Sequence, residues 1–289
     1  MITQTFTLES PATIEEAVTS LGRSPDAKVI AGGHSLIPLM KLGLAEPKQL
    51  VDLRRIRQLR DIKSEDGAIV VGALATHRSI ADHAAIGKTL TALAEAAAAV
   101  GDLQVRSRGT IGGSLAHADP ASDEPAPTLA FDATIRVIGP TGRRDIPARE
   151  FFKGPFETAV APNEIVIEVR FAAPVGRSGS AYAKFAHPAS GFAIVGVAAV
   201  VALKGDGTVE RAAIGVTGAA PSAFRATAAE RALAGARGDD ANAIAAAAAK
   251  AADGVTALSD LAASAEFRKH LVTVYARRAL GLAIERARG

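Results

Sequence analysis

The stretch AGGHSL, residues 31–36, has a counterpart about eighty positions later in TIGGSLAHADPASD, residues 110–123. Each contains a glycine pair with a serine and a leucine close behind it. Glycine lacks a Cβ, so such a pair takes positive φ and lets the backbone approach a ligand closely, and successive free amides form an anion-binding nest. One pair alone is typical of a plain turn. Two pairs, with the hydroxyls of Ser35 and Ser114 beside them, predict that the chain holds a pyrophosphate from two sides.

The same reasoning predicts that Gly33 and Gly113 tolerate no side chain. A Cβ at either position is expected to stand where a phosphate oxygen approaches. Gly33→Val and Gly113→Val are therefore expected to fold and to hold little ligand.

Composition limits the class of protein. With 289 residues, 48% of them hydrophobic, the chain is long enough for two or three cores. It has no cysteine, which excludes disulfides, thiolate zinc sites, cysteine nucleophiles and an iron-sulfur cluster held by this chain. The 33 basic residues are scattered among 30 acidic ones, so no nucleic-acid partner is predicted. The N-terminus has no signal-peptide pattern and no apolar run approaches the roughly 18 residues of a membrane span, so we expect a cytoplasmic protein.

Three parts are predicted along the chain: residues 1–55, 56–175 and 176–289. The first is a small α/β unit with strands at Thr5–Leu8 and Lys28–Ala31 and a helix that starts with a capping box, Thr13 to Glu16. The second mixes short strands with a helical stretch, residues 86–100, and many turns. Residues 172–181 are the predicted linker.

The third part is predicted to combine an antiparallel sheet with helices. Gly205-Asp206-Gly207 separates two apolar runs as a hairpin turn does, and alanine-rich helix follows. In the last helix the spacing of Leu271, Val274, Tyr275 and Leu282 predicts one apolar face.

Motifs of other chemistries are missing from the sequence. No G-x-G-x-x-G occurs, so a Rossmann site for a dinucleotide is not predicted. Ile37 and Ala116 stand where G-x-S-x-G needs its last glycine, which argues against a hydrolase nucleophile. His117, Asp119 and Asp123 match no metal-ligand motif, so we predict no metal site.

Four ordered stretches carry a resemblance to a known family. They are AGGHSLIPLMKLGLAEPKQLVDLRRI, VGALATHRSIA, VRSRGTIGGSLAHADPASDEP and FFKGPFETAVAPNEIVIEVRF. Together they resemble the FAD-binding medium subunit of molybdenum hydroxylases, of the aerobic carbon monoxide dehydrogenase and xanthine dehydrogenase type. The resemblance implies an α+β fold with two components. The first is a two-part FAD-binding domain of the type shared by vanillyl-alcohol-oxidase-like flavoproteins and molybdenum hydroxylases. The second is a C-terminal domain of antiparallel sheet and helices.

The resemblance also implies a set of FAD-binding residues. The two glycine stretches are expected to contact the pyrophosphate and ribityl chain, and Asp123 to contact FAD. Asp119 lies in the turn between the second stretch and Asp123, where it either contacts the cofactor or forms the turn. Val166 or its neighbour Ile165 is expected to line the flavin pocket, Lys184 to lie near the flavin, and Phe192 to pack by the isoalloxazine. The full predicted set is Ala31, Gly32, Gly33, His34, Ser35, Leu36, Thr110, Ile111, Gly112, Gly113, Ser114, Asp119, Asp123, Val166, Lys184 and Phe192.

The function implied by the resemblance is electron transfer within a complex. Substrate is oxidised on a molybdopterin large subunit, electrons arrive through an iron-sulfur small subunit, and FAD passes them to quinone, NAD or oxygen. The resemblance implies in addition that the chain has no catalytic residue of its own. The implied assembly is a dimer of heterotrimers, peripheral to a membrane if quinone is the acceptor. His187 and Gly191 depart from a basic-then-acidic pattern common among relatives, which indicates a differently tuned flavin edge. The alternatives are a stand-alone FAD-dependent oxidase or dehydrogenase and a non-catalytic nucleotide-binding module.

Overall fold

A small parallel sheet begins the fold in the computed structural model, which describes residues 3–289. Its strand order is β1-β3-β2, with β3 pairing in parallel to both neighbours. The helix after β1 starts with the predicted capping box: Thr13 Oγ1 accepts from Glu16 N–H and the Glu16 carboxylate accepts from Thr13 N–H. The elements are β1 (Thr7–Glu9), α1 (Ile14–Leu21), β2 (Ala27–Ile30), α2 (Leu36–Lys41), β3 (Gln49–Asp52) and two 3₁₀ turns (Leu53–Arg55 and Arg57–Arg60).

A five-stranded antiparallel sheet follows, in the order β4-β5-β10-β6-β7. The predicted helical stretch 86–100 is two helices, because the backbone of Leu90 leaves the helical region (φ −120°, ψ 49°) between them. The elements are β4 (Ile62–Glu65), β5 (Ala68–Gly72), α3 (His77–Ala81), α4 (Ala84–Thr89), α5 (Thr91–Ala99), α6 (Leu103–Arg108), α7 (Ile111–His117), α8 (Pro125–Ala130), β6 (Thr134–Gly139), β7 (Gly142–Pro147), α9 (Ala148–Phe151), β8 (Phe152–Gly154), β9 (Glu157–Thr158) and β10 (Ile165–Ala172).

The C-terminal sheet has four antiparallel strands in sequence order. Two of its strands join at the predicted Gly205–Gly207 hairpin. The connection from β10 is shorter than the predicted linker, since β11 already begins at Arg177. The elements are β11 (Arg177–Ala186), β12 (Ala193–Leu203), β13 (Val209–Thr217), β14 (Phe224–Arg225), α10 (Thr227–Leu233), α11 (Ala241–Ala249) and α12 (Ala265–Arg288).

Helix α12 packs directly on this sheet. A Cβ at Gly179 of β11 would lie 2.3 Å from the carbonyl oxygen of Ala283, so the helix backbone touches the strand there. Leu271 and Tyr275 are buried as predicted, but Leu282 is 41% exposed and Leu280 is fully buried in its place. The predicted apolar face was therefore wrong at Leu282, because the small residues Ala276, Ala279 and Ala283 determine which side meets the sheet.

Asp132 joins the second sheet to the C-terminal sheet. Its carboxylate accepts from Arg225 at 2.6 Å and also contacts Arg211, both from the C-terminal sheet, and it accepts from Arg149 at 2.7 Å. The predicted α+β fold, with a C-terminal domain of antiparallel sheet and helices, is confirmed. The boundaries 1–55, 56–175 and 176–289 stay a prediction.

Candidate cofactor site

The first glycine motif, residues 31–36, is the turn between β2 and α2. Gly33 has φ +79°, a conformation that glycine adopts without strain. The amides of residues 32–35 donate no hydrogen bond to any part of the chain that the structure describes. His34 and Ser35 are exposed. This turn therefore offers free backbone donors to an anion.

The second glycine motif, residues 110–114, starts helix α7. Thr110 caps the helix by accepting from Gly113 N–H at 3.2 Å, and the amides of Ile111 and Gly112 donate to Ala75 and Ala73. Ser114 N–H also donates within the turn, to Thr110 O at 2.9 Å. The expectation of free amides on both sides was therefore wrong for the second motif, whose remaining polar group is the half-buried Ser114 hydroxyl.

Local packing in the protein itself disfavours a side chain at Gly33 and at Gly113. Any other residue at position 33 would be strained by the positive φ, and its Cβ would lie 2.7 Å from Ile37 Cδ1. A Cβ at Gly113 would lie 2.9 Å from Thr110 Oγ1, the helix cap. A valine at either position thus perturbs the local fold as well as any bound phosphate.

The two motifs meet in space, as the sequence predicted. A Cβ at Gly32 would lie 2.2 Å from the carbonyl oxygen of Arg108 and 2.9 Å from Gly109 Cα. The first motif therefore touches the backbone that leads directly into the second. Only glycine fits at position 32, because the opposing atoms are backbone and have no rotamer to change.

Asp123 and Lys184, two of the predicted FAD-binding residues, form a buried ion pair. Lys184 Nζ lies 2.9 Å from the Asp123 carboxylate and also donates to Ala99 O at 2.9 Å. Tyr182 Oη donates to Asp123 Oδ1 at 2.6 Å. Burial raises the pKa of Asp123 to about 6, although Lys184 and Tyr182 both act to lower it. The sequence analysis did not identify Tyr182, which is two residues before Lys184 on the same strand.

A second buried pair lies between α3 and α8. His77 Nδ1 is 2.7 Å from Glu124 Oε1, and Glu124 is fully buried. Both residues stand inside stretches that carry the family resemblance, VGALATHRSIA and VRSRGTIGGSLAHADPASDEP. The sequence analysis missed them as a pair because no spacing rule relates residues so far apart in the chain.

The segment after the second motif docks on the C-terminal sheet. Asp119 Oδ1 accepts from Ala121 N–H at 2.9 Å, so its carboxylate shapes the turn. Pro120 O accepts from Gly218 N–H at 2.7 Å, and Ala121 O accepts from Ala193 N–H at 3.1 Å. These bonds bring the segment beside Phe192.

Phe192 is half exposed where the segment after the second motif meets the C-terminal sheet. The turn before it is held by His187, whose Nδ1 accepts from the amides of Ala189 and Ser190 at 3.2 Å, and Gly191 has φ +71°. The two departures from the family pattern thus form the turn that presents the aromatic ring.

Val166 lies in the hydrophobic core and not among the exposed residues of the two glycine motifs. It pairs with Val137 between β10 and β6 and is 6% exposed, in the core that also contains Ile111 and Leu115 of α7. It supports the helix of the second motif from beneath. Ile165 faces the other side of the sheet, in the core with Ile14 and Leu53.

Among residues 3–289 no cluster of His, Asp or Glu is arranged to hold a metal ion. Within the same range, no helix combines the length and apolarity needed to cross a membrane.

Comparison with known proteins assigns the family. Residues 4–174 match the FAD binding domain in molybdopterin dehydrogenase, and residues 180–283 match the CO dehydrogenase flavoprotein C-terminal domain. The carbon monoxide dehydrogenase medium chain of Hydrogenophaga pseudoflava is 41% identical over 226 residues, 78% of each chain. The chain belongs to the FAD-binding medium subunits of molybdenum hydroxylases. The medium chain of Afipia carboxidovorans carbon monoxide dehydrogenase is 35% identical over 290 residues, 100% of each chain.

The medium-subunit fold is matched as well. A chain in the structure of Hydrogenophaga pseudoflava carbon monoxide dehydrogenase superposes with a TM-score of 0.95 at 40% identity, covering 99% of each chain. The predicted FAD-binding domain followed by a C-terminal sheet domain is therefore confirmed. This medium subunit is an FAD-binding component of an oxidoreductase that contains further subunits.

Proposed function

We propose that this medium subunit holds the FAD diphosphate against the free amides of Gly32–Ser35, where they meet Arg108 and Gly109, and passes electrons from an iron-sulfur small subunit to an external acceptor. The observation that carries the proposal is the Gly32–Gly109 contact. It places a turn with unengaged amides beside the backbone that leads into the second glycine motif, and a Cβ at Gly32 would push the two apart. These residues fit a diphosphate, because backbone amides bind phosphate oxygens without a competing side chain.

The remaining predicted residues are assigned to the flavin side of the site. We assign Ser114 and Thr110 to the edge of the phosphate site, the Asp123–Lys184 ion pair to the floor beneath the cofactor, Phe192 to the flavin edge, and Val166 to the core that supports helix α7. Bound FAD supplies one- and two-electron chemistry. The chain itself binds and orients the cofactor, and it places fixed charges near it.

The electron donor in this proposal is another chain. Iron-sulfur clusters are held by cysteine, and this sequence contains none. We therefore place the clusters on a small subunit and the substrate reaction on a molybdopterin large subunit. Quinone, NAD and oxygen are the candidate acceptors.

Anaerobic mixing tests the electron-transfer role. The purified chain is combined with the oxidisable substrate of the complex, first alone and then with the small and large subunits, while the visible flavin absorbance is followed. We expect no bleaching by the chain alone and rapid bleaching in the complex. Turnover by the chain alone would instead establish a stand-alone oxidase.

Mass analysis of the released cofactor tests the diphosphate assignment. We expect FAD, the cofactor named for the domain that residues 4–174 match. Finding FMN, which has one phosphate, would overturn it.

The assembly proposed is a dimer of heterotrimers in the cytoplasm. Sedimentation of the reconstituted complex is expected to give two copies of each chain, and cell fractionation tests the location. A single heterotrimer would contradict the proposed assembly.

A further inference from the structure

His77 lies at the point where the two glycine motifs cross. Its backbone N–H donates to Gly109 O at 3.1 Å. Its ring lies against the same glycine, since a Cβ at Gly109 would be 2.6 Å from His77 Nε2. Thr76, which precedes His77, and Thr110, which follows Gly109, form an isolated β-bridge. The side chain and backbone of His77 thus both fix Gly109.

Gly109 in turn contacts the first glycine motif. Gly32 approaches Gly109 so closely that a Cβ on Gly32 would lie 2.9 Å from Gly109 Cα. A continuous series of contacts therefore runs from Gly32 through Gly109 and His77 to Glu124. Gly109 thus lies in contact with both the His77 imidazole and the first motif.

In the His77–Glu124 pair, the buried carboxylate favours the protonated form of the imidazole. Glu124 is fully buried, and its Oε2 has no hydrogen-bond partner among residues 3–289. A buried carboxylate needs a compensating charge, and His77 is the cation in contact with it. Burial by itself lowers the pKa of His77, but the charge and hydrogen bond of Glu124, with the charge of Asp123, raise the pKa above its ordinary 6.5.

The other charged groups near His77 have hydrogen-bond partners of their own or lie at the surface. Arg106 of α6 opposes the positive ring, and its guanidinium donates to Val100 O and Gly101 O. Glu95 of α5 accepts from Tyr182 N–H and Arg286. On α3 itself, Arg78 pairs with Asp82 at the surface. On α4, Lys88 is exposed and His83 precedes the helix.

We propose that His77 is a positioning residue for the cofactor: its imidazolium, held by Glu124, presses the second glycine motif against the first and makes FAD retention depend on pH. The inference rests on the proposed FAD site. An imidazolium next to Gly109 favours an anionic ligand, and this contribution is present while His77 is protonated. It is lost as the pH rises through the folded-state pKa, which lies above 6.5. Asp123, with a pKa of about 6, titrates at the acidic end of this window, and its titration remains in a His77 variant.

The test is the dissociation constant of FAD for the full-length apoprotein, followed by flavin fluorescence from about pH 6.5 to about pH 9, the range in which a histidine with raised pKa titrates. His77→Asn keeps an N–H donor near Glu124 and removes the charge. For the wild type we expect affinity to fall about tenfold across this range, the effect of one pKa unit of coupling. For His77→Asn we expect weak binding throughout and a change below about twofold.

His270→Asn is the matched control, because His270 is exposed on α12. It should keep the wild-type profile. Thermal melting of the apoproteins checks that His77→Asn is folded. A pH profile for folded His77→Asn that coincides with the wild type would overturn the inference, whereas absence of FAD binding in the wild type would overturn the proposed function instead.

Two further variants test the parts of the proposal separately. Glu124→Gln removes the carboxylate, so burial then lowers the His77 pKa and the fall in FAD affinity should move to lower pH. Gly109→Ala should weaken FAD binding strongly in the wild type and less in a His77→Ala chain, where the ring is gone and only Val105 O, at 3.0 Å, still crowds the new Cβ. A Glu124→Gln profile at the wild-type position, or equal effects of Gly109→Ala in both chains, would contradict it.

Discussion

At the scale of single residues, Gly32 has no room for a side chain, because backbone atoms of Arg108 and Gly109 lie against it. An alanine Cβ would lie 2.2 Å from a backbone oxygen, so Gly32→Ala must separate the two glycine motifs. We expect Gly32→Ala to fold and to retain less than about a tenth of the wild-type FAD, since the phosphate donors no longer meet. The flavin-to-protein absorbance ratio after gel filtration measures this.

Gly205→Ala is the control, because a Cβ there meets nothing within 4 Å. It should hold FAD as the wild type does. Equal flavin content in the two variants would show that the contact between the motifs is incidental to binding.

At the scale of elements, helix α12 allows a comparison within one surface. Leu280 is fully buried against the sheet and Leu282 is 41% exposed. Leu280→Ala should lower the free energy of unfolding by about 2 to 5 kcal/mol, the range for a buried leucine that leaves a cavity. Leu282→Ala should change it by less than about 0.5 kcal/mol. Urea unfolding of the full chain measures both, and similar losses would place the buried face where the sequence analysis put it.

Elements also show what the sequence could predict. The capping box, the hairpin at Gly205–Gly207 and the long last helix depend on local chemistry, and all three were predicted correctly. The face of α12 was wrong at Leu282, because alanines contribute little hydrophobic signal yet allow the closest approach to a strand. The meeting of the glycine motifs followed from their shared chemistry. The occupied amides of the second motif and the His77–Glu124 pair depend on tertiary contacts that spacing does not encode.

At the scale of the whole molecule, Asp132 tests the link between the second sheet and the C-terminal sheet. The arginines Arg149, Arg211 and Arg225 surround its carboxylate, and although burial opposes this, they hold its pKa below 3.8. Asp132→Asn keeps the left-handed backbone (φ +50°), which asparagine tolerates. We expect it to lower the free energy of unfolding at neutral pH by about 1 to 3 kcal/mol.

The sign of the pH dependence follows from that lowered pKa. The wild-type advantage is fully present above 3.8 and is lost as the pH falls through the folded-state value. Asp239→Asn, which breaks the exposed pair with Arg237, is the control and should leave stability nearly unchanged, because solvent screens that pair. Urea unfolding at several pH values measures both variants. An Asp132→Asn loss that does not shrink with acidification would contradict the assignment.

The contact between Gly32 and Gly109 also has a consequence for how the chain matures. It joins segments that are remote in sequence, and closing such a long loop is a slow step in folding because chain entropy opposes it. In the proposed site, the phosphate cradle is incomplete until that loop has closed. Cofactor capture then follows the closure, and only a chain that has already brought residues 32 and 109 together can become a flavoprotein.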